Sequence, residues 1–296
     1  MSPGPQCRVV LDNDWAGDPD GLVALAHHLL SPTNRVDLVT SSFLNPVFEP
    51  LGTGARRGAE LARDLLGLIG ASEDIPVLAG AERPLQDAEA PGAAALAIVA
   101  EARRDDPLPL MVVCGGPLTN IAQALRLAPD VVDRLTLVWV GGTLAADAWE
   151  YNRETDRAAA DEVLARPGLR LRSFPLEAYE RCAVSRAELE HDLGGSGVVG
   201  RWLWDRFVTL PIPEGMPVGG TWALGDSPPI LLTALTDASS TFEARPSPGE
   251  HRVCTQVDLR LVLGDLLARL RLHEAARREQ REHLSRKNDV RQEESG

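Results

Sequence analysis

Residues 9–30 read VVLDNDWAGDPDGLVALAHHLL, and this stretch decides the fold. Residues 8–11 are apolar enough for a buried strand. An acidic loop follows, and then a helix from about residue 21 to 30 with apolar residues at helical spacing. Strand, polar loop and helix together make the first half of a parallel βαβ unit.

The alternation continues outward from there. Residues 36–39, 76–78, 110–113 and 135–140 read as further strands, with helices over 58–69, 93–102 and 119–127 between them. In the helix over 58–69, Leu61, Leu65, Leu66 and Ile69 share one face. Strands that are apolar without internal alternation are buried on both sides, as in a parallel sheet covered by helices. The second half is less regular. Strands are expected over 169–174 and 252–257, helices over 185–193, 200–207, 227–235 and 259–272, and a Pro/Gly-rich loop over 211–220. The expectation is one α/β domain over 1–273, a mostly parallel open sheet with helices on both faces and a Rossmann-like core. A charged tail over 274–296 follows, its last residues solvated.

Composition narrows the function classes. The chain has 296 residues, 30 basic and 43 acidic side chains, and a net charge of −13. General binding to nucleic acid or an anionic membrane surface needs a basic patch, which this balance argues against. No apolar run is long enough to span a bilayer, and the first residues, MSPGPQC, lack a basic and an apolar signal region, so a cytoplasmic protein is expected. Four scattered cysteines, Cys7, Cys114, Cys182 and Cys254, have no zinc-site spacing and are expected to be reduced.

The acidic loop sets Asp12, Asp14, Asp18 and Asp20 within nine residues at the carboxyl end of the first strand. Open parallel sheets bind ligands at that end of their strands. Carboxylates so close repel one another unless a cation or protons neutralise them, and hard divalent cations favour such oxygens. An EF-hand is excluded because its fifth and twelfth positions, counted from Asp12, would be Ala16 and Val23. A phosphatase opening on strand-DxD would carry Thr or Val where Ala16 stands. A helix cap at Asp20 accounts for one carboxylate, and not for four.

In this loop the chain resembles the nucleoside hydrolases, the inosine-uridine-preferring nucleoside N-ribohydrolases, whose first strand ends in DxDxxxDD. Asp12, Asn13 and Asp14 match the DxD, while Asp18-Pro19-Asp20 stands where the family has adjacent aspartates. The resemblance recurs along the chain. Asn45, in TSSFLNP, matches a strand-end Asn that meets the ribose. IPVLAGAERPL resembles a PV-x-x-G-x-x-x-PL segment, and CGGPLTN resembles TGPLTN. AWEYNRETD resembles E-F-N-x-x-x-D, with Glu150 and Asn152 at the ribose-binding positions, and Asp226 precedes a helix as the family's last calcium-ligating Asp does.

The resemblance implies a calcium-dependent enzyme that splits a ribonucleoside into ribose and free base, in purine or pyrimidine salvage. It implies Asp14 as catalytic base and Ca²⁺ held by Asp12, Asp14, Asp18, Asp20, Asp226 and the carbonyl of Gly115, with Cys114 the alternative carbonyl. Ribose would be gripped by Asn45, Glu150, Asn152 and one of Asp18 or Asp20. Which of those two aspartates is the bidentate metal ligand is left open by the extra residue between them. Gly225 stands where many members carry the histidine that protonates the leaving base. The nucleoside accepted is not readable, and members are often dimers or tetramers, so a homodimer or homotetramer is expected.

The six histidines lie outside these motifs and read as structural or solvated. Trp15, Trp149 and Trp222 adjoin motif residues, and Trp222 is a candidate for stacking on the base. Two other readings use the same residues. One is a protein that binds Ca²⁺ and a ribosyl ligand with weak or no turnover. The other is a Mg²⁺-dependent phosphatase, disfavoured because the only lysine is Lys287 in the tail.

Overall fold

A computed structural model describes residues 4–17, 19–88, 90–145, 148–211 and 219–293. Its first half alternates β1 (Cys7–Asn13), α1 (Pro19–Leu29), β2 (Asn34–Ser41), α2 (Gly54–Ile69), β3 (Val77–Ala79), α3 (Ala93–Arg103), β4 (Leu110–Cys114), α4 (Thr119–Leu127) and β5 (Leu135–Val140). Two short helices, α5 (Tyr151–Thr155) and α6 (Arg157–Leu164), lead to β6 (Arg170–Phe174). The second half holds α7 (Leu176–Tyr179), β7 (Ala183–Ser185), α8 (Arg186–Glu188), α9 (Gly197–Thr209), β8 (Thr221–Ala223) and α10 (Ile230–Thr233). It closes with β9 (Thr241–Arg245), β10 (Glu250–Gln256) and α11 (Leu259–Glu293).

Eight strands form one sheet in the order β3-β2-β1-β4-β5-β6-β10-β9, and β7 pairs with β8 in a separate ribbon. Each pairing in the large sheet is parallel except that of the edge strand β9 with β10. Residue alternation along β1 shows why its strands read as continuous apolar runs. Val9 and Leu11 enter the apolar layer under α1, α2 and α9, while Val10 enters the layer under α3, α4 and α6. Both faces are covered, as expected for such strands.

The chain winds outward from β1 through β2 to β3, then returns to β4 and winds the other way. The strand order therefore reverses between β1 and β4, and a crevice opens beyond their carboxyl ends. The acidic loop after β1 and the GGPLTN turn after β4 both empty into this crevice.

The second half departs from the sequence reading in four places. Pro228 and Pro229 fall inside the helix expected over 227–235, and only α10 forms, directly after them, as proline suits a helix start and not its interior. The stretch 185–193 is split between the end of β7, α8 and a wide turn over Leu189–Leu193. The antiparallel edge strand β9 has no counterpart in the expected elements. The helix expected to stop at 272 runs on to Glu293 through the charged stretch. Ion pairs one turn apart, Glu274 with Arg278 and Glu282 with Arg286, support it. Glu274 and Arg277 also bond Val198 N–H and the Leu68 carbonyl. Residues 212–218 of the expected Pro/Gly-rich loop lie outside the described residues. Among the described residues no helix is long and apolar enough to cross a membrane.

Candidate active site

Five segments meet in the crevice. Asp14 follows β1, Asp20 sits in the first turn of α1, and Gly115 follows β4. Asn152 lies in α5 beyond β5, and Asp226 in the turn between β8 and α10. They line one cavity of about 120 Å³, together with Val140, Tyr151, Tyr179, Ala223 and Gly225. Asp14, Asp20 and Asp226 are 3%, 4% and 8% exposed. Among the described lining residues none is cationic.

Hydrogen bonds fix the aspartates relative to one another. Asn13 donates its side-chain amide to Asp226 Oδ2 at 2.8 Å, and Asn13 Oδ1 accepts the N–H of Asp14 at 2.8 Å. The N–H of Asp226 donates to Asp20 Oδ2 at 2.9 Å. Asp20 thus binds the distant Asp226 turn from the first turn of its own helix. Close approach across the crevice needs glycine at 115, where a Cβ would stand 2.4 Å from Asn13 Nδ2 and 2.8 Å from Asp226 Cγ.

Asn152 presents an acceptor with no partner among the described residues. Its Nδ2 donates to the carbonyls of Gly115 and Val140, both at 2.9 Å, which fixes the orientation of the amide. Its Oδ1 is buried and meets no hydrogen-bond donor among the described residues. A buried acceptor of this kind normally finds a donor, and a sugar hydroxyl arriving in the cavity would supply one.

Asp12, Asn45 and Glu150, also singled out from the sequence, are not among the described residues that line the cavity. Asp12 stands in register with Thr40 and Cys114 on the flanking strands. Its Oδ1 accepts from Thr40 Oγ1 at 2.5 Å and Asn120 Nδ2 at 2.8 Å, and Cys114 Sγ lies 3.6 Å from its Oδ2. Burial raises the Asp12 carboxyl above its ordinary range against those hydrogen bonds. Asn45 donates from Nδ2 to Thr155 Oγ1 at 2.9 Å, and its Oδ1 accepts Val47 N–H at 3.0 Å. Asp18 lies outside the described residues.

Glu150 is fully buried, and its carboxylate is filled by four donors. Three are the N–H groups of Gly142, Asn152 and Arg153, at 2.6, 3.0 and 2.9 Å, and the fourth is the Tyr179 hydroxyl at 2.9 Å. Burial raises this carboxyl despite them. Burial and the Glu150 charge push the Tyr179 hydroxyl far above its ordinary range, so it is a neutral donor. The Tyr179 ring packs on Gly225, where a Cβ would meet its Cδ2 at 3.1 Å. A tyrosine thus covers the space that a side chain at 225 would enter.

The tryptophans divide. Trp15 is a core residue whose indole N–H bonds the Thr40 carbonyl at 2.8 Å. Trp222 packs edge-on against Phe207 at 5.3 Å. Trp149 is 63% exposed and meets Tyr151 edge-on at 6.3 Å. None of the three lines the cavity. His27 and His28 are buried structural groups, bonded to Asp265 and Thr233 at 2.8 and 3.0 Å.

Comparison with known proteins adds a family to this geometry. The sequence model of the inosine-uridine preferring nucleoside hydrolases matches residues 9–212, more than half of the chain. The chain belongs to that family. A pyrimidine-specific ribonucleoside hydrolase, RihA of Salmonella typhimurium, is 26% identical over 199 residues, 58% of this chain and 61% of the relative. The RihA of Salmonella arizonae is 26% identical over 62% of this chain and 64% of its own length. The matches thus span less than two thirds of these relatives. Two solved nucleoside hydrolases share the fold. An inosine-guanosine nucleoside hydrolase has a TM-score of 0.69 and 21% identity, covering 89% of this chain and 98% of its own. A purine-preferring ribonucleoside hydrolase from Gardnerella vaginalis has a TM-score of 0.70 and 20% identity, covering 90% and 99%.

The nucleoside hydrolase match takes in Asp14, Asp20, Gly115 and Asn152 but stops short of Asp226. The convergence of Asp226 on the same cavity is therefore a finding of the fold. Tyr151 and Tyr179 escaped the sequence reading. Tyr151 lies between two motif residues and was within reach of it, whereas nothing near Tyr179 in sequence signals its packing on Gly225.

Proposed function

We propose that the chain hydrolyses the N-ribosyl bond of a ribonucleoside, with a hard divalent cation, Ca²⁺, as cofactor. The observation that carries the reading is the convergence of Asp14, Asp20 and Asp226, from three separate segments, on one buried cavity at the strand-order reversal. Among the described residues no three His, Cys, Asp or Glu side chains are already drawn into a metal-holding cluster. The donor set still fits an oxygen-seeking cation: buried carboxylates, an adjoining Gly115 carbonyl, and no cationic side chain in the described lining. Asp14, Asp20, Asp226 and Gly115 would hold it, with Asp12 and Asp18 the further aspartates indicated by the sequence. When bound, such a cation supplies Lewis acidity that makes water a better nucleophile near neutral pH.

The remaining work falls to the protein's own groups. Asp14 takes the proton of the attacking water. Asn152 Oδ1 accepts a ribose hydroxyl, and Asp20 stands on the same wall for another. Holding the ring at these points orients C1′ for attack. The aspartates also place negative charge where oxocarbenium character develops. Glu150 acts one step back by fixing the start of α5 and hence Asn152.

Leaving-group protonation lacks an obvious donor, since no histidine is among the described lining residues. That observation favours a second reading, a ribosyl-binding protein with slow turnover. One assay separates them: a panel of purine and pyrimidine nucleosides followed for ribose release, with and without chelator. The hydrolase reading expects release from at least one nucleoside and its loss on chelation. Calcium-dependent binding without ribose establishes the second reading.

A further inference from the structure

The hydroxyl of Tyr151 donates to Asp14 Oδ2 at 3.1 Å and accepts the backbone N–H of Asn45 at 3.3 Å. With that N–H occupying an oxygen lone pair, the phenolic proton is directed at the carboxylate. The ring is held edge-on from two sides, by Phe48 at 5.7 Å and Trp149 at 6.3 Å. Thr155 fastens the arrangement. Its hydroxyl donates to the Tyr151 carbonyl at 2.7 Å and accepts from Asn45 Nδ2 at 2.9 Å. Thus α5 and the loop after β2, tied to each other through Thr155 and Asn45, aim one hydroxyl at one oxygen of Asp14.

The other oxygen of Asp14 lies over Gly116, where an added Cβ would stand 3.3 Å from Oδ1. A phenylalanine at 151, as in the E-F-N pattern this segment resembles, would keep both ring contacts and lose both hydrogen bonds.

We propose that Tyr151 is a positioning residue for Asp14. Its hydroxyl sets the rotation of the carboxylate, holding Oδ2 at the wall and presenting Oδ1 beside Gly116. The kinetic consequence rests on the ribohydrolase reading, whereas the orientation of Asp14 does not.

The test is Tyr151→Phe in the full chain, by crystal structure and by steady-state kinetics beside Asp14→Asn. The expected structure shows the Asp14 carboxylate rotated or split between two positions, with the introduced phenyl ring packed as the tyrosine ring was. The expected kinetics are a fall in kcat of about 10- to 100-fold, the scale on which small misplacements of reacting groups act, with KM changed by no more than about 3-fold. An Asp14 that stays in place in the variant overturns the proposal whatever the kinetics. So does a raised KM with unchanged kcat, which would make Tyr151 a substrate contact. If Asp14→Asn turns over as fast as the unaltered chain, Asp14 loses its role as base, and the crystal comparison alone decides the role of Tyr151.

Discussion

The loop after β1 and the segment after β5 begin alike and end differently. Each leaves a parallel strand at its carboxyl end, carries several acids, and opens a helix. In the first, Asp14 and Asp20 face the cavity. In the second, the acids turn back on the chain. Glu150 caps α5, and Asp156 caps α6 while also accepting from Leu85 N–H at 2.7 Å and Thr119 Oγ1 at 2.6 Å. The difference lies in the supply of donors. Unsatisfied N–H groups at a helix start capture a carboxylate placed at the cap. The acidic loop has more carboxylates than its single helix start can engage. A strand-end carboxylate therefore faces the cavity when the helix start beside it does not engage it.

Glu150→Gln is the severest way to break this contrast. The amide would set an NH₂ against two of the four donors that now bind the carboxylate; the Tyr179 hydroxyl can turn to accept, but at least one buried backbone N–H is stranded, at roughly 1 to 3 kcal/mol. A clear drop in Tm is expected, with KM for a nucleoside following only through Asn152. Thermal denaturation beside KM decides it. An unchanged Tm with a KM raised tenfold would place Glu150 among the sugar contacts and erase the difference between the segments.

A smaller effect sharpens the contrast through pH. The acidic loop leads into α1, and α1 is fastened by His28, whose burial lowers its pKa from 6.5 to about 4. The unfolded chain takes up this proton first, so the stabilising effect of the neutral ring is complete above 6.5 and is lost as pH falls towards 4. The loss is on the order of 2 kcal/mol at pH 4.5, since each tenfold difference in proton affinity between the folded and unfolded chain is worth about 1.4 kcal/mol. Denaturant unfolding from pH 7 to 4.5 should show that slope, and His28→Gln should flatten it. An unaltered slope would remove His28 from the account.

Much of this was legible in the sequence, for identifiable reasons. The central sheet follows from apolar runs whose residues are buried on both sides, and β1 shows it residue by residue. Asp14, Asp20, Gly115 and Asn152 line one cavity because a reversal of strand order gathers strand ends into one crevice, and Asp226 reaches it from the turn after β8, outside that sheet. What escaped depends on competition that pattern does not display. Glu150 and Asn45 had donors or acceptors of their own nearby. Asp12 was claimed by side chains in register on both neighbouring strands. Trp15 and Trp222 found apolar partners. Tyr179 reached Gly225 through the fold alone, and the length of α11 came from side-chain pairs one turn apart in a stretch that composition marked as solvated.

The central claim is that the aspartates of this crevice perform hydrolysis, with Asp14 as the base. The most direct measurement is kcat of Asp14→Asn on the best nucleoside found for the unaltered chain, with circular dichroism and Tm recorded on the same sample. The account predicts a loss of at least about 1,000-fold with the fold intact, well above the lower end of the roughly 10²–10⁴ scale for a positioned general base. Near-normal turnover in a folded Asp14→Asn protein would contradict it.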